Sequence, residues 1–114
     1  MARRGYSKFR AKKTEYQGIV FDSQKEADAY VELMLMKKAG IVTKLELQPV
    51  FTLQPAFTKN GQHYRAIKYQ ADFKVTYKAG YTEIIDVKGY ETDVFKIKRK
   101  LFEYKYSDLT LKLI

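Results

Sequence analysis

A strict alternation of apolar and polar residues runs from Ile67 to Tyr77 and limits the possible folds more than any other pattern in the chain. Successive side chains of a β-strand point to opposite sides, so this pattern predicts a strand with one buried face and one polar face. The chain must therefore build a β-sheet and cover one side of it with another element.

Two helical segments are available to cover such a sheet. Ser23 and Glu26 form a capping box at the start of a helix predicted over 23–39, which ends before Gly40. Its expected apolar stripe consists of Ala27, Tyr30, Val31, Met34 and Leu35. A second helix is predicted over 93–105, and its expected apolar stripe consists of Val94, Ile97, Leu101 and Tyr104.

Further strands complete the predicted sheet. They are a period-two run from Leu45 to Leu53, a strand over 81–88 that follows a turn at 78–80, and a strand over 109–114, with another turn at Asn60-Gly61. Pro49 interrupts the first run, which indicates an edge strand or a bulge. The order α-β-β-β-α-β predicts an α/β or α+β domain with a small mixed sheet, folded over 15–114 and preceded by a basic, flexible arm over 1–14.

Missing residue types exclude whole classes of site. The chain has no Cys, which removes disulfides, thiolate zinc sites and iron–sulfur clusters. Its single His, His63, removes any multi-His metal site and is expected on the surface beside a turn. No apolar run approaches the roughly 20 residues of a membrane span, and the first residues lack the apolar core of a signal peptide. We therefore expect a cytoplasmic protein with no membrane partner and no organic cofactor.

The charge is strongly basic, with 22 Lys plus Arg against 13 Asp plus Glu and a net charge of +9. Such an excess favours a polyanionic partner, of which nucleic acid is the commonest. A solvated surface is the alternative interpretation. The expected contacts of the N-terminal arm are Arg3, Arg4, Lys8, Arg10, Lys12 and Lys13. On the second helix, Lys96, Arg99 and Lys100 form the surface that we expect to face phosphates.

Strand parity brings a group of charged residues into one predicted site. Asp86 and Lys88 are two positions apart on a strand and share a face, while Asp72 and Lys74 share the polar face of the neighbouring strand. In a hairpin, Asp72 and Asp86 could share a Mg²⁺ ion, and Lys88 would then help to position a water molecule or stabilise a phosphate. Lys74 is a candidate phosphate contact. The alternative is an ordinary exposed strand face, because the pattern acid-x-Lys occurs three times in the chain.

The arrangement of these residues resembles the PD-(D/E)XK nuclease superfamily, whose core has the order αβββαβ. Four segments are similar to a family of small phage and prophage endonucleases described as Holliday-junction-resolvase-like. These segments are Phe21–Glu26, Leu47–Pro49, Tyr69–Phe73 and Asp86–Gly89. The resemblance covers residues 15–114, and Ala71 stands where the superfamily name has Pro.

This resemblance implies both a site and an activity. Asp72, Asp86 and the backbone carbonyl of Val87 would bind Mg²⁺ or Mn²⁺, and Lys88 would be the catalytic lysine. Glu26 would complete the metal site or hold a water molecule, although its place in the capping box also explains it. The implied activity is endonucleolytic hydrolysis of branched DNA in phage recombination or replication. The implied enzyme is a homodimer in the cytoplasm of a bacterial host.

Two other functions remain compatible with the sequence. One is a basic module that binds DNA or RNA without cutting it, with binding that weakens steeply as salt increases and does not respond to metal. The other is a nuclease of the same fold that acts on linear duplex DNA. A metal-dependent cleavage assay separates the first, and a panel of DNA substrates separates the second.

Overall fold

The structure is a computed structural model that describes residues 13–114. In the first half of the chain the elements are β1 (Thr14–Tyr16), β2 (Ile19–Phe21), α1 (Gln24–Lys38), β3 (Val42–Leu47), β4 (Val50–Gln54) and β5 (Phe57–Lys59). In the second half they are β6 (Gln62–Tyr64), β7 (Ile67–Gln70), β8 (Phe73–Tyr77), β9 (Thr82–Asp86), α2 (Asp93–Lys105) and β10 (Thr110–Leu113).

Four strands form the central sheet, in the order β10-β9-β8-β3. β10 runs parallel to β9, whereas β9–β8 and β8–β3 are antiparallel pairs, so the sheet is mixed. With α1 before β3 and α2 between β9 and β10, the order around this sheet is αβββαβ. The predicted α/β class with a small mixed sheet is therefore confirmed.

The sheet is buried on both sides by two separate apolar clusters. The first joins α1 to the sheet and contains Phe21, Ala27, Tyr30, Leu33, Val42, Phe73, Val75 and Ile85. The second joins α2 to the other side and contains Phe51, Tyr69, Ala71, Ile84, Phe95 and Phe102. Ile84 and Ile85 are neighbours on β9 and enter different clusters, because successive strand residues point to opposite faces. β9 thus lies at the centre of the fold.

Helix α1 begins as predicted, and the hydroxyl oxygen of Ser23 accepts a 3.0 Å hydrogen bond from the backbone N–H of Glu26. The predicted apolar stripe is wrong in part, since Met34 and Leu35 are 38% and 63% exposed. The buried row is instead Glu26, Ala27, Tyr30 and Leu33. Two adjacent rows of this helix are apolar, and the sequence pattern does not say which one the sheet covers.

Helix α2 has the predicted bounds, and its expected stripe is also wrong. The buried side chains are Phe95 and Phe102, two turns apart, which pack against the aromatic rings of Phe51 and Tyr69. The residues expected to be buried, Val94, Ile97, Leu101 and Tyr104, are between 40% and 88% exposed. The larger rings fill the space beside the sheet, which leaves the aliphatic row on the surface.

The alternating run that predicted one long strand is broken in the structure at Ala71 and Asp72. β7 pairs with β4, and β8 pairs with β3 and β9, so the two halves of the run belong to different sheets. Gln48 and Pro49 interrupt the run from Leu45 to Leu53, and this second break lies beside the first. Backbone hydrogen bonds join the two breaks, from Gln48 N to the Asp72 carbonyl at 2.8 Å and from Ala71 N to the Pro49 carbonyl at 3.0 Å.

Beyond these breaks the chain forms a two-stranded ribbon, defined here as residues 50–70. β4 pairs with β7, and β5 pairs with β6 around the turn at Asn60 and Gly61. Both turn residues have positive φ angles, of 52° and 76°, which is the backbone conformation of a two-residue hairpin turn. The predicted turn is therefore confirmed, but the ribbon itself was not expected.

Candidate active site

The carboxylates of Asp72 and Asp86 lie at the level where the ribbon leaves the sheet. The β8–β9 register pairs Phe73 with Ile85, and one further step along it sets Asp72 opposite Asp86. The backbone N–H of Val87 donates a 2.7 Å hydrogen bond to Asp72 Oδ2. The Tyr69 hydroxyl donates a hydrogen bond to Asp86 Oδ2. Both carboxylates are thus held by partners from neighbouring strands.

Glu26 extends this pair into a cluster of three. It lies in the first turn of α1 and is only 5% exposed, and the neighbouring carboxyl groups of Asp72 and Asp86 both affect its pKa. Asp86 is 2% exposed, and the neighbouring Asp72 carboxylate raises its pKa. We call Glu26, Asp72 and Asp86 the carboxylate cluster; its members come from α1, the β7–β8 break and β9.

Burial raises the pKa of every member of the carboxylate cluster. For Asp86 the pKa reaches about 6, because burial outweighs the hydrogen bond from Tyr69 and the positive charge of Lys88, while the charge of Asp72 raises it further. Burial and the neighbouring Asp86 carboxylate raise the pKa of Tyr69, so this phenol remains a donor. Each member of the cluster therefore holds a proton more tightly than an exposed carboxyl group does.

Lys88 places a positive charge beside this cluster. Its Nζ lies 3.7 Å from Asp86 Oδ2 and 4.3 Å from the centre of the Phe95 ring. The backbone of this segment is fixed by β10, because Lys88 N donates to the Ile114 carbonyl at 3.1 Å and Ile114 N donates to the Asp86 carbonyl at 3.0 Å. The structure thus brings together all four residues that the sequence predicted as catalytic.

The chemistry of these donors suits a hard divalent cation. Carboxylate and backbone carbonyl oxygens are the ligands that Mg²⁺ takes, commonly with only one or two protein carboxylates. Asp72, Asp86 and the carbonyl of Val87 meet that description. Within residues 13–114, however, no three His, Cys, Asp or Glu side chains are arranged as a metal-binding group. A site built on two carboxylates and a backbone carbonyl needs no such group.

Two clefts lie beside the cluster. The first lies between β2 and the end of β3, is lined by Phe21, Leu47 and Gln48, and reaches Glu26 and Asp72.

A wider groove lies between β7 and α2 and reaches Lys88 on the other side. The charged side chains that line it are Lys68, Lys88 and Lys98, and no acidic side chain lines it. We call it the basic groove. The groove includes Lys88, whose Nζ lies 3.7 Å from Asp86 Oδ2, and no member of the carboxylate cluster lines it.

The structure places several of the predicted phosphate contacts elsewhere. Lys96 and Lys100 are exposed but do not line the basic groove, and Arg99 forms a 3.6 Å ion pair with Glu91. Lys74 lies 4.0 Å from a carboxylate oxygen of Glu46.

The N-terminal contacts are mostly outside the part of the chain that the structure describes. Lys13 lies 3.9 Å from Asp22, and both are exposed. The residues outside the described range are Arg3, Arg4, Lys8, Arg10 and Lys12. His63 is exposed, as expected.

Sequence reasoning missed two lysines of the basic groove, Lys68 and Lys98. Lys98 lies three residues after Phe95 on α2 and therefore on the same side of the helix. It would have been found if Phe95 rather than Val94 had been taken as the buried residue. Lys68 occupies a polar position of the alternating run, two residues before Gln70. The assumption of a single long strand placed it on the central sheet rather than on β7 beside α2.

Comparison with known proteins assigns a family. A family model described as "Protein of unknown function (DUF1064)" matches residues 6–114, so the chain belongs to this family. The chain matches no curated protein and no solved structure. Within residues 13–114, neither helix has the length and apolar character that crossing a bilayer requires.

Proposed function

We propose that this protein is a metal-dependent DNA endonuclease and that the carboxylate cluster with Lys88 is its active site. The observation that carries the proposal is the cluster itself. Three neighbouring carboxyl groups from separate segments lie in a largely buried position, where burial raises the pKa of each, and a lysine Nζ lies 3.7 Å from one of them. This is the residue set that the resemblance to PD-(D/E)XK nucleases implies.

The energetic cost of the cluster favours a functional origin. Buried carboxylates without full neutralisation destabilise a fold, and a side chain of similar size without charge would fill the same space. Strongly perturbed acids of this kind concentrate at functional sites. A purely structural cluster would be expected to hold about one cation for each acid, whereas Lys88 is the cation within ion-pairing distance of Asp86.

The residues divide the work of phosphodiester hydrolysis among them. Asp72, Asp86 and the Val87 carbonyl would hold Mg²⁺ or Mn²⁺, which supplies activation of water and offsets charge on the phosphate. Val87 N–H and the Tyr69 hydroxyl orient the two aspartates.

Lys88 and Glu26 act beside these ligands. The Lys88 ammonium, held over the Phe95 ring, stabilises negative charge that develops on the phosphate during attack. Glu26, whose pKa both aspartates affect, would complete the metal site or hold a water molecule beside Asp72.

DNA is the proposed substrate, and branched DNA in phage recombination or replication is the specific form that the resemblance implies. The basic groove supports a phosphate backbone passing Lys68, Lys98 and Lys88 on its way to the cluster. The same proposal places the protein in the cytoplasm of a bacterial host.

We also propose a homodimer. The exposed row Val94, Ile97, Leu101 and Tyr104 on α2 supports it, because a second copy of the same helix could cover this row by two-fold pairing.

The alternative of a basic module without nuclease activity explains the groove but leaves the buried carboxylates without a role. A nuclease acting on linear duplex DNA explains both features. The basic module differs from the leading proposal because metal would not affect it. The duplex nuclease differs because it would not prefer branched DNA.

The deciding experiment measures cleavage of a four-way junction, a fork and a linear duplex, with Mg²⁺ and with EDTA. We expect Mg²⁺-dependent cleavage that is fastest on the branched substrates and that Asp86→Asn abolishes while junction binding is retained. Asp108→Asn, at an exposed aspartate, is the matched control and should cleave normally. Cleavage by Asp86→Asn at the wild-type rate, or cleavage in EDTA, would refute the proposed site.

A further inference from the structure

The tip of the ribbon is an exposed surface that the proposed cleavage reaction does not use. Phe51 and Tyr69, at the root of the ribbon, are buried against Phe102 of α2. Every residue from 54 to 65 is exposed. Because a strand rises about 3.3 Å per residue, the ten residues from 50 to 59 extend roughly 30 Å. The ribbon therefore projects from the body of the protein.

Two aromatic rings lie together on this projecting tip. Phe57 and Tyr64 are direct cross-strand partners, and their rings stack with centroids 4.8 Å apart and planes 14° apart. They are 41% and 45% exposed. Since rings of this size gain stability from burial, a stacked pair left on a projecting hairpin is a surface suited to a partner. The flat ring faces favour a partner that is itself flat.

The charge around these rings is positive. From residue 47 to residue 71 the chain contains no Asp or Glu, while it contains Lys59, Arg65 and Lys68. Lys59 follows Phe57 by two positions and therefore lies on the same face of the ribbon. Flat aromatic surface beside cations is the combination that binds nucleic-acid bases and phosphates. A second protein of acidic character would use the charges but would not need the stacked rings.

The ribbon is also continuous with the proposed active site. β7 ends at Gln70, two residues before Asp72, and Tyr69 at its root donates to Asp86. Lys68 of β7 lines the basic groove that leads to Lys88. A strand of DNA held at the tip would therefore have a positively charged path toward the carboxylate cluster.

We propose that the ribbon tip binds unpaired DNA bases by stacking them on Phe57 and Tyr64, and that it thereby selects branched or single-stranded DNA over continuous duplex. The inference rests on the proposed function for the identity of the polyanion. Stacking needs a base whose face is accessible, and a continuous duplex offers such faces only at its ends. A single strand offers them along its length, and an open junction offers them at its branch point.

The test is a binding measurement in EDTA, where metal-dependent cleavage does not occur. Fluorescence anisotropy gives the Kd of the full chain and of Phe57→Leu/Tyr64→Leu for a single strand, a four-way junction and a covalently closed circular duplex. We expect the double variant to bind the single strand and the junction about 10-fold more weakly, a typical loss for one or more stacking contacts. Its affinity for the closed duplex should change less than about twofold.

The control variant is Tyr81→Leu. Tyr81 is 56% exposed and stacks on Tyr77 at 4.5 Å, but it lies beside the turn at the other end of the β8–β9 hairpin. Its removal should leave all three affinities unchanged. Leucine keeps the ribbon apolar, so we expect the double variant to fold. A circular-dichroism spectrum and a melting temperature equal to those of the wild type would confirm this.

Several results would overturn the inference. They are equal losses on all three DNAs, no loss on any, tighter binding of single-stranded RNA than of DNA, or a change in oligomeric size, which would indicate that the rings contact a second copy. Failure of the proposed nuclease function has a different signature. If the ribbon variant loses single-strand binding and the wild type never cleaves, the active-site proposal fails and this inference stands.

Discussion

The carboxylate cluster and the ribbon tip are neighbours along the chain and opposite in physical character. The cluster is buried, negative and held by hydrogen bonds from β7 and the end of β9. The tip is exposed, positive and formed by the pairing of β5 with β6. Two residues, Ala71 and Asp72, separate β7 of the ribbon from β8 of the sheet.

Under the proposed function, this contrast would divide the two tasks of a nuclease between two regions of a small fold. Groups that must be positioned accurately benefit from burial, because packing and hydrogen bonds fix their geometry. Groups that must meet a large partner have to project beyond the surface. We therefore expect variants in the cluster and at Lys88 to change the rate of cleavage, and variants at the other groove lysines and on the ribbon to change affinity. The following predictions test that separation, beginning with the largest expected effect.

Lys88→Ala should lower the cleavage rate by about 100- to 1,000-fold, the loss seen when one group that stabilises transition-state charge is removed. Its effect on junction Kd should be small, because the Lys88 side chain is only 28% exposed and lies against Asp86 and Phe95. Single-turnover cleavage and anisotropy measure the two quantities. Lys112→Ala, an exposed lysine on β10, is the control. If Lys88→Ala lowers only the affinity for DNA and leaves the cleavage rate unchanged, the expected separation of rate effects from affinity effects is wrong.

Lys98→Gln should weaken binding of DNA about threefold to tenfold at moderate salt and lower the salt dependence of log Kd by about one counterion. Lys96→Gln, two residues earlier on the same helix, should have a smaller effect, because Lys98 lines the basic groove and Lys96 does not. Titrations at several NaCl concentrations measure both values. Equal salt slopes for the two variants would indicate that the groove is not the path of the phosphates.

The stability of the metal-free protein should depend on pH through Asp86. Its pKa is raised to about 6 in the folded state from an ordinary value of 3.8, so the folded state holds a proton more tightly than the unfolded state does. Ionisation therefore destabilises the fold as pH rises through 6, and stability is regained as pH falls from 7 toward 4.

Thermal melts in EDTA measure this effect as the difference between the wild type and Asp86→Asn. The wild type should gain a few degrees in Tm relative to the variant as pH falls from 7 to 5. Added Mg²⁺ should raise the Tm of the wild type most at the higher pH. Parallel Tm curves for the two proteins would show that Asp86 is not the source of the pH dependence.

The sequence predicted local structure well where a signal depends on neighbouring residues. The capping box at Ser23 and the bounds of α2 are confirmed, as are the turns at Asn60-Gly61 and at 78–80. The hairpin that sets Asp72 opposite Asp86 was also predicted, from strand parity and the turn at 78–80.

The predictions that failed concern which of two apolar surfaces is buried. On α2, Val94 and Phe95 are adjacent, and either could begin an apolar row; the rings of Phe51 and Tyr69 decide in favour of Phe95. Lys98 rather than Lys96 then faces the groove. A helical pattern records which residues lie on one side of the helix, but not what that side meets.

The sequence by itself determined the mixed fold class and the helix bounds, because capping, turn chemistry and periodicity act over a few residues. The residues of the candidate site came from strand parity together with the resemblance to the nuclease superfamily. Only the tertiary structure decided that the alternating run divides at Ala71 and Asp72. That division depends on hydrogen bonds to Gln48 and Pro49, more than 20 residues away in the chain. Long-range pairing of this kind turns one predicted strand into two and sends half of it outward as the ribbon.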